Sequence, residues 1–251
     1  MKKIAFLILI WSLPLTSPEQ QRPELVIWNV GQGLWTTFRI DNLCLHFDMG
    51  GESDVTASVQ RFCKQRKNFA FLSHWHWAHL SFIARAARVL TQFCIVEPPG
   101  GPASQSKQTI LQGIKRCSEK SLELVAPITP PQLPRMNAND HSKIFILLKQ
   151  VLLPGDSSAK MENRWAEKIS HPERIKWLVL GHHGSKTSTS IELLKMLSGL
   201  SLTIASARKA KYRHPHQEIE LRLRNYGIPV LKTEDWGNIH LFPTESSLSL
   251  N

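Results

Sequence analysis

An α/β fold is predicted by three features of this chain. From Phe69 onward, short apolar runs alternate with segments whose apolar residues recur at helical spacing, the pattern of strands layered with helices. Before that point, three strand-like runs are separated only by tight turns, as in an antiparallel meander. The 251 residues are 42% hydrophobic, ample for one buried core, and no repeat or long low-complexity run divides them.

The meander comprises Leu25 to Val30, Trp35 to Ile40 and Leu43 to Asp48, with Gly31-Gln32-Gly33 and Asn42 at the turns. Asp48-Met49-Gly50-Gly51 closes it, and Val55, Val59, Phe62 and Cys63 place a helix over residues 54–66. Phe69 to Leu72 reads as a buried strand, followed by a helix around residues 81–90 and a strand at Phe93 to Val96. A helix from Gln105 to Cys117 and a strand from Leu122 to Val125 come next, then a Pro-rich loop from Pro127 to Pro134. Ile144 to Leu148, Val151 to Leu153, the run ending at Leu180 and Thr203 to Ser206 are further strands. A helix is expected near residues 188–197, and another, opened by Pro215 in its first turn, runs to about Tyr226. Val230 to Lys232 and Ile239 to Phe242 read as a final strand pair.

Met1-Lys2-Lys3 and the apolar run from Ile4 to Trp11 have the shape of a signal peptide or an N-terminal anchor over residues 1–17. One domain is expected over residues 18–251, exported to the periplasm or outside the cell and tethered if the leader is retained. Lys and Arg exceed Asp and Glu by 31 to 20, and a formal charge of +11 favours anionic partners. Cys44, Cys63, Cys94 and Cys117 lack the Cys-x-x-Cys spacing of a zinc ribbon. They read as core thiols, with one or two disulfides of unreadable connectivity open to an exported chain.

The chemistry concentrates at strand exits. His74, His76 and His79 follow the Phe69 to Leu72 strand within six residues, and a His-x-His pair leaving a strand can converge on one metal ion. Asp156 ends the Val151 to Leu153 strand, where a carboxylate serves either as a ligand or as a turn residue. His182-His183-Gly184-Ser185-Lys186 follows the next strand with the composition of a metal or anion site. Arg208 to Arg213 is a cationic loop running into His214-Pro215-His216.

Five stretches in order, Trp28 to Gly33, Ser73 to His79, Asn139 to Ser142, Gly155-Asp156 and Gly181 to Ser188, resemble the metallo-β-lactamase superfamily. They are similar in particular to the hydrolase domain of ComEC-type competence proteins that internalise DNA. The resemblance implies an α/β four-layer αββα sandwich, the metallo-β-lactamase fold, with one or two divalent ions, Zn²⁺ or Mn²⁺. It implies metal ligands at His74, His76, His79, Asp156 and His182, with Asp156 bridging. Catalytic roles fall to Asp156, His183 and Lys186, and substrate binding to Ser185, Lys186, Arg213, His214 and His216. The partner implied is DNA or another phosphate-bearing substrate, with a membrane DNA-uptake channel as physiological context. The channel segments that usually precede the domain are not found in the sequence, which reads as a free-standing form.

The chain also departs from the family pattern. Ala78 stands where the first motif carries an Asp, Leu34 where an acidic residue follows Gly-Gln-Gly, and Leu80-Ser81-Phe82 where glycines are usual. Three readings follow: a phosphodiesterase or nuclease acting on extracytoplasmic DNA, a catalytically impaired DNA- or anion-binding protein, and a hydrolase of a small ester, lactam or nucleotide.

Overall fold

The computed structural model describes residues 22–118 and 123–243. The expected leader over residues 1–17 lies outside them.

The first sheet holds β1 (Glu24–Ile27), β2 (Trp35–Ile40), β3 (Leu43–Met49), β4 (Lys67–Phe71) and β5 (Phe93–Glu97). The helices on this half are α1 (Thr56–Phe62), α2 (Trp77–Leu80), α3 (Ile83–Val89) and α4 (Gln105–Leu111). The second half comprises β6 (Val125–Ile128), β7 (Ile144–Leu147), β8 (Val151–Leu153), α5 (Ala159–Trp165), β9 (Trp177–Val179) and α6 (Ile191–Met196). It continues with β10 (Leu202–Ala205), α7 (Lys209–Tyr212), α8 (Gln217–Asn225), β11 (Val230–Lys232) and α9 (Thr233–Trp236). The last strand is β12 (Ile239–Leu241). Strand order is β12-β1-β2-β3-β4-β5 in one sheet and β11-β10-β9-β8-β7-β6 in the other.

Alternation along the strands explains why the sheets stack. Leu25, Ile27, Phe69 and Phe71 meet Phe145, Leu147, Val179 and Ile204 in a core between the sheets. The intervening Val26, Ala70 and Leu72 point the other way, into a layer with Val59, Leu80, Ile83 and Ala86 of the first helices. On the far side, Ile144, Ile146, Leu152 and Leu178 pack against Met161, Trp165, Leu193, Ile219 and Leu223. The result is helix, sheet, sheet, helix: the expected four-layer αββα sandwich.

Several expectations are corrected. Val230–Lys232 and Ile239–Leu241 are not a pair: β11 lies parallel to β10 at the edge of the second sheet, whereas β12 lies antiparallel to β1 in the first. The short α9 carries the chain between them. Pro127 belongs to β6, where the edge position tolerates a residue without an N–H donor. The helix expected to reach Cys117 stops at Leu111 because Cys117 turns back to donate its N–H to the Ile95 carbonyl and to bond Cys94. The cysteines are not free core thiols: Cys44–Cys63 ties β3 to the end of α1, and Cys94–Cys117 ties β5 to the segment after α4. Pro215 precedes α8, whose N-cap is His216, so the proline is not in the helix's first turn. The helix α5 went unanticipated, although Met161 and Trp165 carry the i, i+4 apolar spacing that marks it.

Candidate metal centre

Three strand exits converge at one edge of the sandwich. β4 delivers His74, His76 and His79, β8 delivers Asp156, and β9 delivers His182 and His183. Gly155 permits the convergence: a Cβ there would stand 2.8 Å from the Ser73 Cβ, and its φ of +56° suits glycine.

Potential ligand atoms of His74, His76 and Asp156 lie within 4.8 Å of one another, as do those of His79, Asp156 and His183. Asp156, nearly fully buried, is common to both groups. His74 Nε2, His79 Nε2 and Asp156 Oδ1 are buried without a hydrogen-bond partner. His79 Nε2 and Asp156 Oδ1 approach to 2.9 Å but are not aligned as a hydrogen bond. Buried polar atoms are seldom left unpaired. An imidazole and carboxylate donor set of this kind fits a divalent transition-metal ion.

Outer partners aim these rings. Asp48, at a φ of +53°, accepts from the Ser73 backbone N–H at 2.8 Å and the Ser73 hydroxyl at 2.8 Å, and lies 2.6 Å from His79 Nδ1. His183 Nδ1 donates to the Ser206 carbonyl at 3.0 Å, which turns Nε2 toward Asp156, 3.6 Å away. Glu162 of α5 accepts from the Thr189 and Ser190 N–H groups at 2.6 and 2.7 Å, clamping the loop that follows the histidine pair.

The electrostatics follow the geometry. Burial lowers the pKa of His183 to about 4 and also lowers those of His74 and His76. Burial acts downward on His79 as well, but the Asp156 and Asp48 carboxylates outweigh it and raise the pKa to about 10. Asp156 shows the converse: burial acts upward, and the surrounding imidazoles, His79 first, hold it well below the carboxylate range.

The structure separates the expected site residues. His182 and His183 both adopt left-handed backbone, at φ +48° and +57°, an unusual conformation that swings the two rings apart. His183, not His182, enters the buried group. His182 stays part-exposed at the mouth, its Nε2 3.9 Å from Asp156 and 3.3 Å from the Asn139 amide nitrogen, and belongs to neither group. His214 faces the mouth with its ring 6.0 Å from that of His182, and its Nδ1 meets the Gln32 amide at 3.0 Å. His216 serves as the N-cap of α8, its Nδ1 accepting from the Glu218 N–H at 3.2 Å. Ser185 is buried with its hydroxyl 3.0 Å from that of Thr187, whereas Lys186 and Arg213 are exposed. Gly184 lets this loop reach the His214–Pro215 segment, since a Cβ there would lie 2.6 Å from Pro215 Cβ.

Sequence reasoning missed Asp48, Glu162 and Ser206. In the sequence Asp48 ends the third strand and opens the segment that closes the meander, and nothing local marks its partnership with His79, 31 positions away.

The layered fold thus carries a His and Asp cluster at one edge of its two sheets. Among solved structures, the metallo-β-lactamase fold protein YhfI from Bacillus subtilis matches with a TM-score of 0.55 at 13% identity, covering 89% of this chain and 100% of that one. A diphosphatase of the PhnP family matches with a TM-score of 0.55 at 11% identity, covering 89% of this chain and 98% of that one. The sequence is 26% identical to the competence protein ComA of Neisseria gonorrhoeae over 88% of this chain and 32% of that protein. It is 39% identical to ComE operon protein 3 of Bacillus subtilis over 55% of this chain and 18% of that protein. The chain thus spans a third or less of the length of these relatives. No protein-family model matches it. The chain has the metallo-β-lactamase fold, and its sequence relatives include a competence protein, as the motifs implied.

Proposed function

We propose that the chain is a metal-dependent phosphodiesterase acting on extracytoplasmic DNA, in a competence-like setting beside a membrane DNA-uptake channel. The observation that carries this reading is the convergence of the buried atoms His74 Nε2, His79 Nε2 and Asp156 Oδ1, none in an aligned hydrogen bond, beside the exposed His76 and part-exposed His182. The similarity to a competence protein supports a DNA-uptake setting, and the likeness in fold to a PhnP-family diphosphatase is compatible with phosphate-ester chemistry. Two disulfides fit an oxidising compartment and hence export.

His74, His76 and Asp156 would hold one ion, and His79, Asp156 and His183 a second, zinc or manganese in either case. When bound, such an ion polarises a phosphoryl oxygen and lowers the pKa of water. Asp48 and the Ser206 carbonyl fix the tautomers of His79 and His183, leaving Nε2 of each ring directed inward. His182 and His214 stand at the mouth, where an imidazole N–H can orient a phosphate oxygen and a protonated ring would supply the proton of a leaving oxygen. The exposed Arg213, next to His214 in the chain, would offer a cationic contact for the substrate backbone.

Ala78, which supplies no carboxylate, favours the second reading: an anion-binding protein on the same scaffold. The two readings are separated by zinc- and manganese-dependent cleavage of single- and double-stranded DNA, with Asp156→Ala alongside and metal content determined on both. The expected result is cleavage by the unaltered chain that disappears, with most of the bound metal, in Asp156→Ala. DNA binding without metal or cleavage would establish the second reading instead.

A further inference from the structure

Asn139 to Ser142 is one of the stretches that carry the family resemblance, yet it contributes no residue to either ligand group. Its first three residues form a single 3₁₀ turn between β6 and β7. Close backbone approach seats that turn beside the first histidines. A Cβ on Gly100 would collide with the His141 carbonyl oxygen, one on Gly101 would stand 2.6 Å from the His141 Cβ, and Gly100 bridges to the His74 backbone.

Side chains then lock the turn in place. Asp140, buried, accepts from the Ser158 hydroxyl at 2.6 Å and from the Asn137 N–H at 3.2 Å. The Ser142 hydroxyl accepts from the Asp156 N–H at 3.1 Å, which ties the turn to the residue shared by both ligand groups. Asn139 is left part-exposed at the other end. Its amide nitrogen lies 3.3 Å from His182 Nε2, and that ring atom lies 3.9 Å from an Asp156 carboxylate oxygen. His182 Nδ1 meets the Thr187 hydroxyl at 3.4 Å, so the ring is held from both sides. A side-chain amide carries two N–H donors, and His182 Nε2 occupies one.

We infer that Asn139 is a substrate-binding residue, its second amide N–H donating to a non-bridging oxygen of the phosphate held at the Asp156 cluster. A hydrogen bond to a charged oxygen is about twice as strong as one between neutral groups, and a neutral amide makes it without altering the charge balance of the ligands. Mounted on a locked turn, the short side chain loses little freedom when the anion arrives. The inference rests on the phosphodiesterase reading, which places a phosphate there, and adds the residue that holds it.

The test is equilibrium dialysis of radiolabelled inorganic phosphate against the full chain loaded with zinc, with zinc content determined on the same samples. Asn139→Ala should keep the zinc of the unaltered chain and bind phosphate about tenfold more weakly, the loss expected for one hydrogen bond to a charged group. His182→Ala and the double variant Asn139→Ala/His182→Ala show whether the amide acts directly or only by holding the imidazole. A direct contact gives the same loss when Asn139 is removed from the His182→Ala background. Unchanged phosphate binding in Asn139→Ala, a loss that vanishes in that background, or a loss matched by lost zinc overturns the contact. So does an unaltered chain that binds no phosphate. Metal-dependent cleavage of a phosphodiester by the unaltered chain would then leave the phosphodiesterase reading standing. The contact without any cleavage would instead remove that reading and leave Asn139 as the anion contact of a binding protein.

Discussion

His79 Nδ1 and an Asp48 carboxylate oxygen lie 2.6 Å apart in the floor of the site, both side chains almost wholly buried. The contact fixes the ring so that Nε2 faces Asp156, and the same carboxylate also holds Ser73 at the start of the histidine segment. Replacing Asp48 by Asn preserves shape and some acceptor capacity but removes the charge. Metal affinity in Asp48→Asn should fall about 10- to 100-fold, the usual effect of losing an outer partner of a ligating histidine. Zinc titration against a competing chelator reads the change; affinity equal to that of the unaltered chain would show that Asp48 does not tune the site.

Ala78 lies in α2 between Trp77 and His79, the position at which the motif of the resembled superfamily carries an Asp. Ala78→Asp should raise the metal bound per chain and increase any slow phosphodiester cleavage. Metal analysis after dialysis provides the check. Unchanged content would mean that the position does not correspond to the Asp of the family's first motif.

Away from the site, His46 is sealed beneath the helices of the first sheet with Nε2 3.0 Å from Asn68 Oδ1 and Nδ1 3.0 Å from the Thr37 hydroxyl. Burial, only partly opposed by the Asn68 hydrogen bond, lowers its pKa to about 4 from 6.5. The unfolded chain therefore takes up this proton first as pH falls. The full contribution is present above pH 6.5 and is lost progressively down to pH 4, by about 3 kcal/mol. Urea unfolding across that range should show the loss, and His46→Gln, whose amide can both donate and accept, should flatten this part of the slope. An identical slope in the variant would exclude His46 as its source.

The two disulfides close segments whose ends are 19 and 23 residues apart. Chain entropy assigns each about 3 kcal/mol. Reduction should lower the thermal midpoint, and Cys44→Ala/Cys63→Ala and Cys94→Ala/Cys117→Ala should each account for part of the drop. Midpoints unaffected by reductant would show that neither bridge constrains the unfolded chain appreciably.

The amino-acid sequence by itself determined the alternation that buries Phe69 and Phe71 on one face and Ala70 and Leu72 on the other. It also determined that His74, Asp156 and the His182–His183 pair follow strand ends. Periodicity and turn chemistry act over a few residues and are legible there. Tertiary structure decided the rest. Which member of the histidine pair enters the cluster depends on two consecutive left-handed residues and on the Ser206 carbonyl, which β10 brings within reach of His183. The role of Asp48 and the pairing of Cys94 with Cys117 likewise depend on contacts between distant segments. Even the final strand-like runs, matched in appearance, separate into different sheets because β1 and β10 each present an edge that only one of them covers. Hydrogen-bond partners, ring orientations and strand neighbours are properties of the packed whole, since each requires a second segment whose position no local pattern specifies.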